Sequence, residues 1–144
     1  MNESFSNIYK SARIRSGLKR EPVSEELNID VRTLDKYESV SSRPPDDIVK
    51  KMCELYGNRY LAYQHFKSSP LGSYLPDLSE ETFQAATLSV INSFYNVSEI
   101  AKNITKIASG GKIDDNEREE WLKNREEITR LASSLLSLLM ADTL

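Results

Sequence analysis

Two long stretches without proline, residues 80–109 and 114–142, limit what the second half of this chain can fold into. Apolar and small residues in the first stretch recur in alternating steps of four and three, the spacing at which helices pack along a seam. The residues of this seam are Phe83, Thr87, Val90, Phe94, Val97, Ala101, Ile104 and Ala108. Ser79 is the expected N-cap, and Gly110 suits the left-handed residue that closes a helix. The spacing therefore predicts one long helix.

The second stretch predicts another helix, with two neighbouring apolar stripes. One stripe consists of Trp121, Ile128, Leu131, Leu135 and Leu138. The other consists of Leu122, Ala132, Leu136 and Leu139. Since the connection around Gly110 and Gly111 is short, the two helices should form an antiparallel hairpin.

One stripe can pack on the seam of the first helix, but the other needs a partner, because contiguous exposed apolar patches are unusual on monomers. We expect this partner to be a second copy of the chain, which gives a homodimer. The expected interface residues are Leu135, Leu136, Leu138, Leu139 and Met140. The alternative is that both stripes fold back onto the aromatic residues between Tyr60 and Phe66.

The first half of the chain is divided at closer intervals by turn-forming residues. Gly17, Asn28, Pro44-Pro45 and Gly57 separate short segments, none of which alternates as a strand does. We therefore predict an all-α chain in three parts. These are a domain of short helices over residues 1–67, a Ser-, Pro- and Gly-containing linker over 68–78, and a helical hairpin over 79–144.

Composition excludes several classes of protein. The longest strongly apolar stretch, from Leu135 to Met140, is far shorter than the ~20 residues that span a bilayer. The N-terminal ten residues lack the apolar core of a secretory signal. One cysteine and one histidine cannot supply the four ligands of a structural zinc site. We therefore expect a cytoplasmic protein without metal or cofactor.

Charge is unevenly distributed along the chain. The net charge is −3, but residues 1–67 carry 12 Lys and Arg against 10 Asp and Glu, whereas residues 68–144 carry 7 against 12. A mildly basic half joined to an acidic half indicates two tasks, with any polyanion bound by the first half.

The segment from Leu18 to Pro45 carries the strongest functional signal. It predicts a short helix from about Arg20 to Leu27, followed by a sharp turn at Asn28, a residue that tolerates positive φ. Asp30 is a good N-cap for a second helix from Val31 to about Ser39. Two short helices joined in this way form a helix-turn-helix, whose second helix can enter the DNA major groove.

This part of the chain resembles the Cro/cI-like (Xre) helix-turn-helix family of phage and bacterial repressors. The resemblance runs from about Ile8 to Gly57, with apolar, turn and ionic positions in register. Its positions are Ile8, Ala12, Arg13, Gly17, Leu18, Val23, Leu27, Asn28, Ile29, Asp30, Thr33, Leu34, Tyr37, Glu38, Arg43, Pro44, Pro45, Ile48, Met52, Leu55 and Tyr56. The resemblance implies a five-helix domain and a structural ion pair between Arg13 and Glu38. Asn28 and Val40 stand where the family has glycines, and Lys19-Arg20 where it has Ser/Thr-Gln.

The resemblance also implies roles for the residues around the second helix. Val31, Arg32 and Lys36 match the base-reading positions, and Asp35 points the same way. Flanking residues are expected to hold DNA phosphates and so to set the register. These are Lys19, Arg20, Ser39, Ser41, Ser42 and Arg43.

Other candidate sites are weaker. His65 has no acid or nucleophile at a fitting spacing, so packing is its expected role, and Cys53 should face inward as a small apolar residue. The segment around Gly110 and Gly111 lacks the oxygen ligands of a calcium loop.

Two functions from different classes fit these observations. The first is a sequence-specific transcriptional regulator, a repressor of phage or mobile-element type that binds an inverted repeat in double-stranded DNA as a dimer. The alternative is a helix-turn-helix protein that acts mainly by binding a regulatory protein partner, as an antitoxin or antirepressor does. An enzyme is not expected.

Overall fold

A computed structural model describes residues 7–141, and all regular structure in this range is helical. The chain divides into two compact units between Leu75 and Pro76. The predicted all-α fold is therefore confirmed for the described residues. The expected absence of a secretory signal concerns mainly residues 1–6, which lie outside this range. Within residues 7–141, no helix combines the length and apolar character that a bilayer crossing requires.

Within its described residues, 7–75, the N-terminal unit contains five α-helices and a short 3-10 helix. The α-helices are α1 (Ile8–Arg15), α2 (Arg20–Leu27), α3 (Val31–Glu38), α4 (Asp46–Tyr56) and α5 (Tyr60–Lys67), and the 3-10 helix is Pro70–Tyr74. The side chain of Asn7 caps α1 by accepting hydrogen bonds from the amides of Tyr9 and Lys10 at 2.9 and 3.0 Å. Gly57 ends α4 in the left-handed conformation, with φ 64°.

One apolar core holds these helices together. Its buried residues come from all five α-helices: Tyr9, Ala12, Val23, Leu27, Leu34, Ile48, Val49, Met52, Tyr56 and Leu61. At about 25 cal/mol per Å² of apolar surface removed from water, this burial is the main force that stabilises the unit.

The division between the units falls inside the predicted linker 68–78, but the first part of that stretch packs on the N-terminal unit. Gly72 is buried, and a Cβ atom there would overlap the carbonyl group of Lys67. The ammonium group of Lys67 donates to the Leu75 carbonyl at 2.6 Å. The 3-10 helix thus ends the N-terminal unit and is not a free linker.

The C-terminal unit contains α6 (Phe83–Phe94), α7 (Val97–Ala108) and α8 (Arg118–Met140). The long helix α8 packs against both α6 and α7. Two hydrogen bonds give the direction of packing: the hydroxyls of Ser93 and Ser134 are 3.0 Å apart, and Asn103 donates to Asn124 at 3.4 Å. Residue numbers increase from Ser93 to Asn103, while those of their partners on α8 decrease from Ser134 to Asn124. The packing is therefore antiparallel, as the predicted hairpin requires.

The prediction of one continuous helix over residues 80–109 is wrong. The helix is interrupted at Tyr95 and Asn96, and it begins at Phe83 with Thr82 as N-cap instead of Ser79. The residue with positive φ after α7 is Gly111 (75°), not Gly110.

The predicted seam is also displaced. The residues of α6 and α7 that are buried are Ala86, Val90, Ile100 and Ile107. Of the predicted seam only Val90 is among them, whereas Phe83 and Phe94 are exposed. Part of the predicted seam therefore lies on the outside of the unit.

The predicted interface residues on α8 differ in exposure. Leu139 is 66% exposed and Leu135 is 39% exposed, whereas Leu136, Leu138 and Met140 are half-buried. The two α8 residues that are buried are polar, Asn124 and Ser137.

Candidate nucleic-acid interface

The turn between α2 and α3 follows from the backbone preference of one residue. Asn28 adopts the left-handed conformation (φ 55°, ψ 48°), which asparagine tolerates better than most residues. The Ile29 amide then donates to the Ser24 carbonyl at 3.0 Å, which closes the C-terminus of α2. The predicted helix from Arg20 to Leu27 and the turn at Asn28 are confirmed.

Asp30 occupies the N-cap position of α3, but its side chain does not cap the helix. Its backbone carbonyl instead accepts from the amides of Thr33 and Leu34 at 2.9 and 3.1 Å. Its carboxylate still lies at the positive end of the helix dipole, where a negative charge is favourable.

The two faces of α3 differ sharply. Leu34 and Glu38 are buried against the rest of the unit, whereas Val31, Arg32, Asp35 and Lys36 are exposed. These exposed residues follow the spacing i, i+1, i+4, i+5, so the helix brings them together on one outer face. An eight-residue helix anchored on one side and open on the other is suited to enter the major groove.

The ion pair between Arg13 and Glu38 anchors the end of α3. The Nε atom of Arg13 donates to Glu38 Oε1 at 2.5 Å, and a terminal nitrogen donates to Oε2 at 2.9 Å. Another terminal nitrogen of Arg13 reaches the Leu18 carbonyl at 2.9 Å. The pair thus joins α1, the loop before α2, and α3, and it is almost fully buried.

Burial and hydrogen bonding act in opposite directions on Glu38. Burial alone would raise the pKa of its carboxyl, but the hydrogen bonds from Arg13 and Arg20, with their positive charges, lower the pKa below its ordinary value. The hydrogen bond to Glu38 in turn raises the pKa of Arg13, although burial opposes this. Both groups are therefore charged at neutral pH.

Arg20, expected to hold a phosphate, points to acidic side chains of α3. Its Nε atom donates to Glu38 Oε2 at 3.2 Å, and a terminal nitrogen lies 3.5 Å from Asp35 Oδ1. Arg20 therefore contacts both a buried carboxylate and one on the outer face.

Arg43, also expected at a phosphate, is hydrogen-bonded to the end of α5. Its two terminal nitrogens donate to the His65 carbonyl at 2.8 Å and to the Ser68 hydroxyl at 3.0 Å. Arginine near a helix C-terminus satisfies carbonyls that have no partner within the helix.

The other predicted phosphate-binding residues lie at the surface. Lys19 is exposed at the start of α2, and Ser39, Ser41 and Ser42 are exposed just after α3. The hydroxyls of Ser39 and Ser41 are 2.9 Å apart, and the Ser42 amide donates to the Lys36 carbonyl at 3.2 Å. This loop is therefore ordered by its own hydrogen bonds.

Val40 adopts a conformation in this loop that is unusual for its residue type. Its φ is 62°, in the left-handed region that strongly disfavours β-branched residues, and the residue is 64% exposed. The backbone thus keeps the path that a glycine would take, with a strained valine in it.

His65 is more strongly bonded than the expected packing role implies. It is buried, its Nδ1 lies 2.7 Å from the Tyr9 hydroxyl, and its Nε2 lies 2.9 Å from Asp46 Oδ1. These contacts join α1, α5 and the start of α4. The sequence did not indicate this cluster, because its members are up to 56 positions apart. Cys53 is half-buried, and burial raises the pKa of its thiol.

Comparison with known proteins agrees with this geometry. A family model described as "Helix-turn-helix" matches residues 10–63, a range that begins in α1, ends in α5 and includes α2, the turn and α3. No curated protein and no solved structure matches the chain. Over these residues the N-terminal unit of this chain is thus similar to a helix-turn-helix domain.

Proposed function

We propose that this protein is a sequence-specific transcriptional repressor, of phage or mobile-element type, that binds an inverted-repeat operator as a dimer. The observation that carries the proposal is the division of α3 into a fixed inner face and an open outer face. Leu34 and Glu38 hold the helix in place, while Arg32 and Lys36 are exposed beside Val31.

The chemistry of the outer face matches that of base edges. Arginine donates two hydrogen bonds to O6 and N7 of guanine, lysine reaches the same acceptors, and valine packs on a thymine methyl. We assign these roles to Arg32, Lys36 and Val31. Lys19 and the serines at 39, 41 and 42 would hold phosphates on either side, while Arg20 and Arg43 support the fold through the contacts described above.

DNase footprinting on the DNA around the protein's own gene tests this function. We expect protection of an inverted repeat by the purified protein alone. Arg32→Ala and Lys36→Ala should each weaken binding by about 1–3 kcal/mol and remove discrimination at one base position per half-site. Lys19→Ala should weaken binding to all sequences and reduce the salt slope by about one unit per contact.

The matched control is Lys102→Ala, which removes one exposed positive charge from α7 and should leave binding unchanged. If the wild-type protein protects no DNA but captures a protein partner, the chain acts by protein–protein binding. A reporter placed behind the protected sequence tests repression, and increased transcription would contradict it.

For the dimer we propose that a second copy covers the apolar side of the C-terminal unit. Polar residues of α6 and α8, together with Asn96 just after α6, line a groove on one side of this helix pair: Ser89, Asn92, Ser93, Asn96, Glu127, Arg130 and Ser134. Helical spacing then places exposed apolar side chains of both helices on the opposite side. These include Ile91 and Phe94 of α6 and Leu135 and Leu139 of α8. Burying such a surface in a two-fold helical bundle suits half-sites about 34 Å apart.

Sedimentation of paired variants tests this interface. Leu135→Glu with Leu139→Glu should give a folded monomer that binds the operator much more weakly. Ser98→Glu with Thr129→Glu adds the same charge at exposed positions of the same unit and should leave the dimer intact. If the wild-type protein is a monomer at tens of micromolar, the dimer proposal fails.

A further inference from the structure

Arg20 joins two carboxylates of α3 that face in different directions. Glu38 is buried, with only 1% of its side chain exposed, whereas the side chain of Asp35 is 58% exposed on the outer face of the helix. The guanidinium spans both, with Nε 3.2 Å from Glu38 Oε2 and a terminal nitrogen 3.5 Å from Asp35 Oδ1. A planar guanidinium can make this double contact, but a lysine ammonium cannot reproduce its fixed geometry.

The position of Arg20 in its own helix supports a role for this contact. Arg20 is the first residue of α2, at the positive end of the helix dipole, where a cation is unfavourable. The two carboxylates offset that repulsion. Glu38 is itself fixed by two hydrogen bonds from Arg13, so it provides a rigid support for the guanidinium.

The contact also changes the charge of the outer face. Without a partner, the Asp35 carboxylate would stand beside Arg32 and Lys36 and would repel the phosphates of a bound duplex. It would also be an acceptor suited to the amino group of cytosine. Neutralised by Arg20, the same face presents positive charge and hydrogen-bond donors.

We propose that Arg20 is a positioning residue that holds Asp35 away from the bases, so that Arg32 and Lys36 alone read polar base edges. This inference depends on the proposed function, since it requires that α3 enters the major groove. It replaces both the phosphate-binding role predicted for Arg20 and the base-reading role predicted for Asp35.

Selection of bound sequences from a random duplex library tests the proposal. Asp35→Asn should select the same sequences as the wild-type protein, because the carboxylate does not read a base. Arg20→Gln should weaken binding to the selected site by roughly tenfold, because it frees a negative charge at the interface. It should also introduce a preference for cytosine at one position per half-site. Arg32→Gln is the positive control and should lose one base preference.

The double variant separates this role from a phosphate contact. In an Asp35→Asn background, Arg20→Gln should change neither the affinity nor the salt slope. If Arg20 holds a phosphate, the substitution weakens binding equally in both backgrounds and lowers the salt slope by about one unit per contact.

Each outcome decides between these roles. Loss of a base preference in Asp35→Asn overturns the proposal, even if Arg20→Gln fails to fold. If the wild-type protein selects no sequence at all, the proposed function fails, which is distinct from failure of the positioning role. Melting temperatures of all variants show whether a loss of binding reflects unfolding.

Discussion

The two units bury their side chains to very different extents. In the N-terminal unit Leu27, Leu34, Met52 and Leu61 are fully buried, and the buried charges of Arg13 and Glu38 are paired. In the C-terminal unit the buried residues include Asn124 and Ser137, whereas large apolar residues such as Leu88 and Leu139 are exposed. A unit with a complete core can be stable alone, but one with its apolar surface outside gains stability from a partner.

The single tryptophan, Trp121, makes this comparison measurable. It lies in α8, so its fluorescence reports unfolding of the C-terminal unit. Amide hydrogen exchange in α1 and α3 reports opening of the N-terminal unit. Each substitution described below should therefore change the unfolding signal of its own unit and leave the signal of the other unit unchanged.

The largest effect is expected from Glu38→Ala. The substitution leaves the buried Arg13 guanidinium without its partner, which should cost about 3–5 kcal/mol of unfolding free energy. Hydrogen exchange in α1 and α3 should accelerate strongly, with little change in the Trp121 transition. As a control, Glu126→Ala breaks an exposed ion pair with Arg130 and should cost less than about 1 kcal/mol.

Truncation of one leucine in each unit compares the two cores directly. Leu34→Ala in α3 should cost about 2–5 kcal/mol, because the side chain is wholly buried. Leu131→Ala in α8 should cost less, about 1–2 kcal/mol, because that side chain is only half-buried. Urea unfolding measures both, and equal losses would contradict the difference in packing.

Acid should weaken the N-terminal unit more than the C-terminal one. The pKa of Glu38 is lower in the folded protein than in the unfolded chain, so its stabilising contribution is complete above the unfolded value of about 4.3. The contribution is lost as the pH falls through the folded pKa. The effect should be smaller than that of Glu38→Ala, because a protonated carboxyl still fills its site.

The variant Glu38→Gln isolates this pH effect from the other carboxyls. Hydrogen exchange in α3, measured between pH 3 and 6, should depend less on pH in the variant than in the wild-type protein. The same slope in both would show that Glu38 does not contribute to acid unfolding.

The smallest effect, and one of opposite sign, is expected from Val40→Gly. Glycine adopts a φ of 62° without strain, so the substitution should stabilise the N-terminal unit by about 1 kcal/mol. Thermal unfolding checks this. Ser42→Gly is the control, and it should be neutral or slightly destabilising because it only adds freedom to the unfolded chain.

Sequence reasoning succeeded where single residues fix the backbone. Asn28 marked the turn of the motif and Gly57 the end of α4, because few other residues accept those conformations. The interruption at Tyr95 and Asn96 left no such mark, since the apolar spacing continues through it. Helical spacing alone also does not decide which of two neighbouring stripes on α6 and α7 faces α8. The observed buried residues therefore differ from the predicted seam.

Long side chains were the least predictable part of the candidate site. The sequence predicts where Arg20 and Arg43 stand in the motif, but it does not predict the direction of their guanidinium groups. The Arg20 guanidinium contacts Glu38 and Asp35. The Arg43 guanidinium donates to a carbonyl of α5 and to the Ser68 hydroxyl just after that helix. An arginine has enough rotatable bonds to reach several partners, and only the folded neighbourhood decides among them.

The burial of the pair between Arg13 and Glu38 has a practical consequence for studying this protein in solution. Dissolved ions screen charges at the surface but reach a buried pair far less. If the domain binds DNA as proposed, adding salt should detach it from DNA long before it loosens α3. A salt concentration that elutes the protein from a DNA column should still yield it folded, so dissociation and unfolding can be followed as separate processes in one titration.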